Sequence, residues 1–102
     1  LEVELAELLC EIIPCAEMVR FGKNGSDATS AAIRIARAHT GRDRVAVCGY
    51  HGWQDWYIGA TTRNKGVPAA VGELTQKFPY NNLPALARLL ELHRGEFAAV
   101  MM

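Results

Sequence analysis

Short apolar runs alternate along this chain with segments of helical period, and that alternation leaves few folds open. Val45 to Cys48 and Phe97 to Met102 are continuous apolar runs of strand length, and Leu74 to Phe78 is a weaker one. Leu1, Leu5, Leu8, Leu9 and Ile12 recur at three- and four-residue steps, with glutamates at positions 2, 4, 7 and 11 between them, until Pro14 stops the pattern. A second helix is predicted from about Asp27 to His39 and closed by Gly41. Its residues Ala28, Ala31, Ala32 and Ile35 are expected to face inward, with Asp27, Ser30, Arg34 and Arg37 as the polar stripe. Asn82 and Pro84 announce a third helix, which runs to about His93 on a buried stripe of Leu83, Leu86, Leu89 and Leu90. Met18 to Phe21 reads as a further short strand, Trp53 to Ile58 as a short aromatic-rich helix, and Thr61 to Pro68 as loop. Strands joined through helices of this length favour an α/β fold with a mostly parallel sheet and flanking helices.

The chain has 102 residues, half of them hydrophobic, which suits at most one modest domain. Eleven basic residues balance eleven acidic ones, so the surface gives no electrostatic reason to expect nucleic acid or an anionic membrane as partner. No apolar run approaches the roughly 20 residues that span a bilayer, and a cytoplasmic location is the default expectation. Cys10, Cys15 and Cys48 fit no zinc or redox spacing and are expected to be buried free thiols, while His39, His51 and His93 are scattered and suggest no metal. Both ends of the sequence fall inside an element, which predicts a domain truncated at both ends.

Two stretches carry chemistry. Phe21-Gly22-Lys23-Asn24-Gly25-Ser26-Asp27-Ala28 leads into a helix start, where unpartnered N–H groups and the helix dipole favour an anion such as phosphate. Gly25 lets the backbone approach such an anion, and the Ser26 hydroxyl can donate to it; the same residues also suit a plain helix cap with a turn glycine. Gly49-Tyr50-His51-Gly52-Trp53 follows a strand and so falls at the carboxyl edge of a parallel sheet, where ligands gather. Tyr50 can lie flat on a planar ligand there with His51 beside it. Equally, Tyr50 and Trp53 can be core aromatics.

Taken in order, Asn24-Gly25-Ser26-Asp27-Ala28-Thr29, Ala32-Ile33-Arg34-Ile35-Ala36-Arg37, Thr40-Gly41-Arg42-Asp43-Arg44 and Tyr50-His51-Gly52 resemble the class-III, fold-type-I pyridoxal-phosphate (PLP) aminotransferases, and most of all their aminomutase branch. The resemblance extends over most of the chain and is densest from Val19 to Gly52. It implies part of the PLP-binding large domain of such an enzyme, acting on an amino-acid, amine, keto or semialdehyde substrate and dimeric when intact. It places Gly25 and Ser26 in the phosphate cradle, Tyr50 on the pyridine ring, and His51 and Gly52 in the same turn. Asp27 stands where the aminomutases usually have Glu, and beside a phosphate it must point elsewhere. Asn24 replaces their usual Ser and Trp53 their usual His, departures that bear on the branch more than on the family. The resemblance also implies that the chain contributes no catalytic residue, because Lys23, Lys65 and Lys77 lack the context of the Schiff-base lysine and the ring-nitrogen aspartate belongs to a later strand. Two other readings stand beside this one: a small non-catalytic α/β module binding a phosphorylated ligand, and a structural segment that binds nothing. The loop from Thr61 to Pro68 either borders a substrate entrance or is a surface connection.

Overall fold

A computed structural model describes all residues from 1 to 102. Three short strands form a wholly parallel sheet in the order β2-β1-β3, with β1 at Arg44–Val47, β2 at Thr75–Lys77 and β3 at Phe97–Met101. The helices are α1 (Glu2–Ile12), α2 (Gly25–Thr40), the single turns α3 (Asp55–Ile58) and α4 (Ala69–Gly72), and α5 (Leu83–Leu92). The central strand is the most deeply buried, as a strand paired on both edges is. Val45, Ala46 and Val47 are fully buried and pair with Thr75–Lys77 on one side and Ala99–Met101 on the other. Ile33 of α2 and Trp56 and Tyr57 of α3 complete the core over Val45 and Val47, with Ala99 and Met101 packed against it. The Thr75 hydroxyl is buried in this core and donates to the Trp56 carbonyl, so no polar atom there is left without a partner.

Local sequence explains where the helices begin and end. Asn24 caps α2 by accepting the Asp27 N–H at 3.0 Å, and Gly41 ends it in the left-handed conformation at φ 66°, its N–H bonded to the Arg37 carbonyl. Asn82 caps α5 in the same way through the Ala85 N–H. Helix α1 ends at Ile13, whose extended backbone is what the following Pro14 demands.

Four expectations need correction. Met18–Phe21 is not a strand: the sheet ends at β2 and β3, and an extended run without a neighbour to pair with forms no ladder. Helix α2 is rotated from its expected orientation, with Ile33 inside and Ile35 67 % exposed along with Ala28, Ala31 and Ala32. Ser30 turns inward to take the Trp56 indole N–H at 3.2 Å, and half-buried Arg37 lies along the helix end, its Nε–H donating to the carbonyl of exposed Asp43 at 2.8 Å. Among the thiols only Cys48 is buried, since the segment carrying exposed Cys15 and half-buried Cys10 packs against no core. On α5, Leu83 sits exposed at the first turn, and Leu86, Leu89 and Leu90 are half-buried.

Candidate functional site

The start of α2 and the turn after β1 meet at the carboxyl end of the sheet. Asn24, Gly25, Ser26 and Thr29 from the helix, and Tyr50, His51 and Gly52 from the turn, line one small cavity of about 280 Å³. Every residue singled out from sequence, Gly25, Ser26, Tyr50 and His51, therefore stands on the same wall. The two segments are tied together by two bonds. Thr29 Oγ1 donates to the His51 carbonyl at 2.8 Å, and the Trp53 N–H reaches Ser26 Oγ at 3.4 Å.

Gly52 makes this junction possible. Its backbone has φ 111°, and a Cβ there would stand 3.1 Å from Ser26 Cα and 3.0 Å from Ser26 Cβ. Any side chain would push the turn off the helix start. At Gly25 the opposite holds: a Cβ would meet nothing within 4 Å, so the backbone faces open space. The N–H groups of Gly25 and Ser26, first and second in the helix, have no acceptor within the chain. Asp27 leaves that space free, because its carboxylate turns back to accept the Lys23 N–H at 3.0 Å. The result is two free donors and a hydroxyl at the positive end of a 16-residue helix, with no carboxylate directed at them.

Tyr50 is 75 % exposed, so it is not a core aromatic. Its backbone is held from beneath. The Tyr57 hydroxyl donates to the Gly49 carbonyl at 2.8 Å, and the Tyr57 ring meets the Tyr50 ring edge-on at 5.7 Å between centroids. The ring of His51 stacks near Trp56 and meets Tyr57 edge-on, and its Nε2 bonds to the Cys48 carbonyl at 2.8 Å. A carbonyl only accepts, so this bond assigns the proton to Nε2 and commits that atom to bracing the turn. The sequence did not single out Thr29 or Tyr57, which hold the site in place. Their partners lie 22 and 8 residues away, beyond any local pattern.

Comparison with known proteins places this junction in context. The chain is 41 % identical over 98 residues to 3-aminobutyryl-CoA aminotransferase of Cloacimonas acidaminovorans, covering 96 % of this chain and 23 % of that protein. It is 41 % identical over 110 residues to glutamate-1-semialdehyde 2,1-aminomutase of Methanothermobacter thermautotrophicus, covering 99 % of this chain and 26 % of that one. Among solved structures, the FumI protein of Sphingopyxis sp. MTA144 in a PLP form superposes with a TM-score of 0.82 at 37 % identity, over 97 % of this chain and 24 % of its own. The chain belongs to the class-III aminotransferase family. No family model matches it, and it spans about a quarter of the length of the curated relatives it matches. The family depends on PLP, and the junction suits that molecule: free N–H donors for its phosphate and an exposed tyrosine for its ring, on one cavity wall. No helix of the chain is long and apolar enough to cross a membrane.

Proposed function

We propose that residues 1–102 form the phosphate and ring-stacking part of the PLP site in the large domain of an enzyme that moves amino groups. The observation that carries this reading is the shared cavity, in which the unpartnered N–H groups at the start of α2 and the exposed ring of Tyr50 face one small volume. In this reading Gly25 and Ser26 hold the phosphate through their backbone N–H groups, with the Ser26 hydroxyl as a third donor, and the helix dipole adds to the attraction. Tyr50 covers one face of the pyridine ring. His51 holds the turn that presents Tyr50, and Thr29 fixes the distance between ring and phosphate ends. PLP, when bound, draws electrons from the reacting carbon of an amine substrate.

The residues that form the covalent link and move the proton are assigned to sequence outside residues 1–102. Lys23 sits in the turn before α2, Lys77 at the end of β2 and Lys65 in the loop that borders the neighbouring cavity. None belongs to the wall formed by Gly25, Ser26 and Tyr50. The intact enzyme is read as a soluble cytoplasmic homodimer.

Amine transfer and amine migration both fit this reading, since both chemistries use the same PLP site and residues 1–102 carry no residue that separates them.

The test is PLP binding and reaction with an amine donor in the intact protein, followed by visible absorbance. Bound PLP that is converted on adding amine, and retained about 5–150-fold less tightly in Tyr50→Ala, is the expected result, from roughly 1–3 kcal/mol of lost aromatic contact. Saturable binding of inorganic phosphate with no such conversion would instead identify a non-catalytic phosphate-binding module.

A further inference from the structure

The turn that presents Tyr50 has no backbone ladder of its own. Residues 49 to 52 neither donate nor accept a backbone–backbone hydrogen bond, and Gly49 and Gly52 both stand at positive φ, 93° and 111°. A segment of that kind has several conformations of similar energy unless side chains select one. Three side chains do so. Thr29 donates to the His51 carbonyl, His51 to the Cys48 carbonyl, and the Tyr57 hydroxyl to the Gly49 carbonyl. Thr29 and His51 line the cavity with Gly25 and Ser26, whereas Tyr57 lies behind the turn and outside that wall. Tyr57 is buried in the core, and its ring meets those of Tyr50 and His51 edge-on. Helix α3, which carries it, is anchored in turn: the Trp56 indole N–H donates to Ser30 of α2, and the Trp56 carbonyl accepts the Thr75 hydroxyl of β2.

We infer that Tyr57 is a positioning residue of the PLP site: its hydroxyl and ring select the conformation of the turn in which Tyr50 stands ready for the pyridine ring. This role rests on the PLP reading given above, because Tyr57 lies outside the cavity wall and acts only through Tyr50. An exposed ring has few contacts to hold it, so its tilt follows the turn beneath it. Tyr57 acts on that tilt twice. Its hydroxyl fixes the carbonyl of the residue just before Tyr50, and the edge-on contact between the two rings is directional. Without the hydroxyl the Gly49 carbonyl has no donor in the chain, and the glycine relaxes toward other conformations. The fraction of molecules with the turn ready for PLP then falls, and the apparent affinity falls with it. Phenylalanine at position 57 keeps the core filled, so the loss is confined to the turn.

The experiment compares the intact PLP-loaded wild type with Tyr57→Phe and with a core control, Phe97→Leu, at the opposite end of the sheet where β1 and β3 begin. PLP retention is measured by dialysis, and the visible circular dichroism of bound PLP reports the asymmetry around its ring. Tyr57→Phe should retain PLP about 2–12-fold less tightly, the contribution of one hydrogen bond, and should change the dichroic band. Phe97→Leu should lower the denaturation midpoint and leave both PLP measurements at their wild-type values. Unchanged retention and an unchanged band in Tyr57→Phe would overturn this role, and so would equal changes in Phe97→Leu, which would make Tyr57 a core residue like any other. A second measurement needs no variant: in a crystal structure of the PLP-free wild type, the turn should already hold Tyr50 edge-on to Tyr57, and a rearranged turn would overturn the role. PLP retention untouched by Tyr50→Ala would instead overturn the PLP reading, and this role with it.

Discussion

Gly52 shows how much of the site depends on the absence of an atom. Its positive φ and the 3.1 Å separation between a hypothetical Cβ and Ser26 Cα combine two penalties, backbone strain and steric overlap. Gly52→Ala should therefore destabilise the intact protein by about 1–3 kcal/mol and weaken PLP retention, measured by chemical denaturation and by equilibrium dialysis. Wild-type values for both would mean the turn relaxes freely away from the helix. Ser26→Ala removes an oxygen that the Trp53 N–H approaches and that is available to a phosphate. Its expected loss of PLP affinity is about 1 kcal/mol or more; an unchanged affinity would reduce Ser26 to a spacer. That Gly25, Ser26, Tyr50 and His51 fall in one neighbourhood was legible in the sequence, because each sits in a short run with a local chemical logic. The role of Gly52 as a contact surface was not, since it depends on a helix 26 residues earlier in the chain.

At the scale of elements, caps and breakers were legible and orientations were not. Gly41, Asn82 and Pro14 mark ends through purely local chemistry, and the structure uses each as expected, while α2 starts at Gly25, two residues before the expected Asp27, with Asn24 and not Ser26 as its cap. The facing of α2 was misread because two isoleucines two positions apart lie about 200° apart around a helix, and an alanine-rich stripe favours neither side. A polar partner elsewhere in the fold decides it, through Ser30. Asn24→Ala should cost about 1 kcal/mol of stability and loosen the helix start, which amide hydrogen exchange at Asp27 and Ala28 would report. The entry to the sheet has its own signature. Arg44 at the start of β1 bonds Glu96 just before β3, and this bond, with the nearby charges of Arg44 and His93, lowers the Glu96 carboxyl below its ordinary value of 4.5 against a smaller opposing effect of desolvation. A depressed carboxyl contributes stability above its unfolded value, and that contribution is lost as the pH falls from about 4.5 through the folded value. Glu96→Gln should therefore flatten the acid limb of the stability curve; an identical acid limb in the variant would show that the pair contributes nothing.

Over the whole molecule, burial is confined to the centre. Ten residues are buried, around β1, while Leu5, Leu8 and Ile12 of α1 and Ile35 of α2 are exposed. Apolar faces of this kind are covered by other protein in stable assemblies. The 102-residue polypeptide alone should associate with rising concentration and bind a hydrophobic dye, as sedimentation velocity and fluorescence would show; a dye-silent monomer would mean that α1 folds back onto the sheet. The parallel α/β order was legible because it follows from alternation, whereas the exposed faces were not, because periodicity shows that a helix has an apolar side without showing what lies against it.

The central claim is that the first turn of α2 and the Tyr50 turn hold the two ends of one PLP molecule. A crystal structure of the intact protein grown with PLP tests it most directly. Phosphate oxygens about 3 Å from the Gly25 and Ser26 nitrogens, with the pyridine ring against Tyr50, are the predicted result. A phosphate bound elsewhere, with those nitrogens facing only solvent, would contradict it.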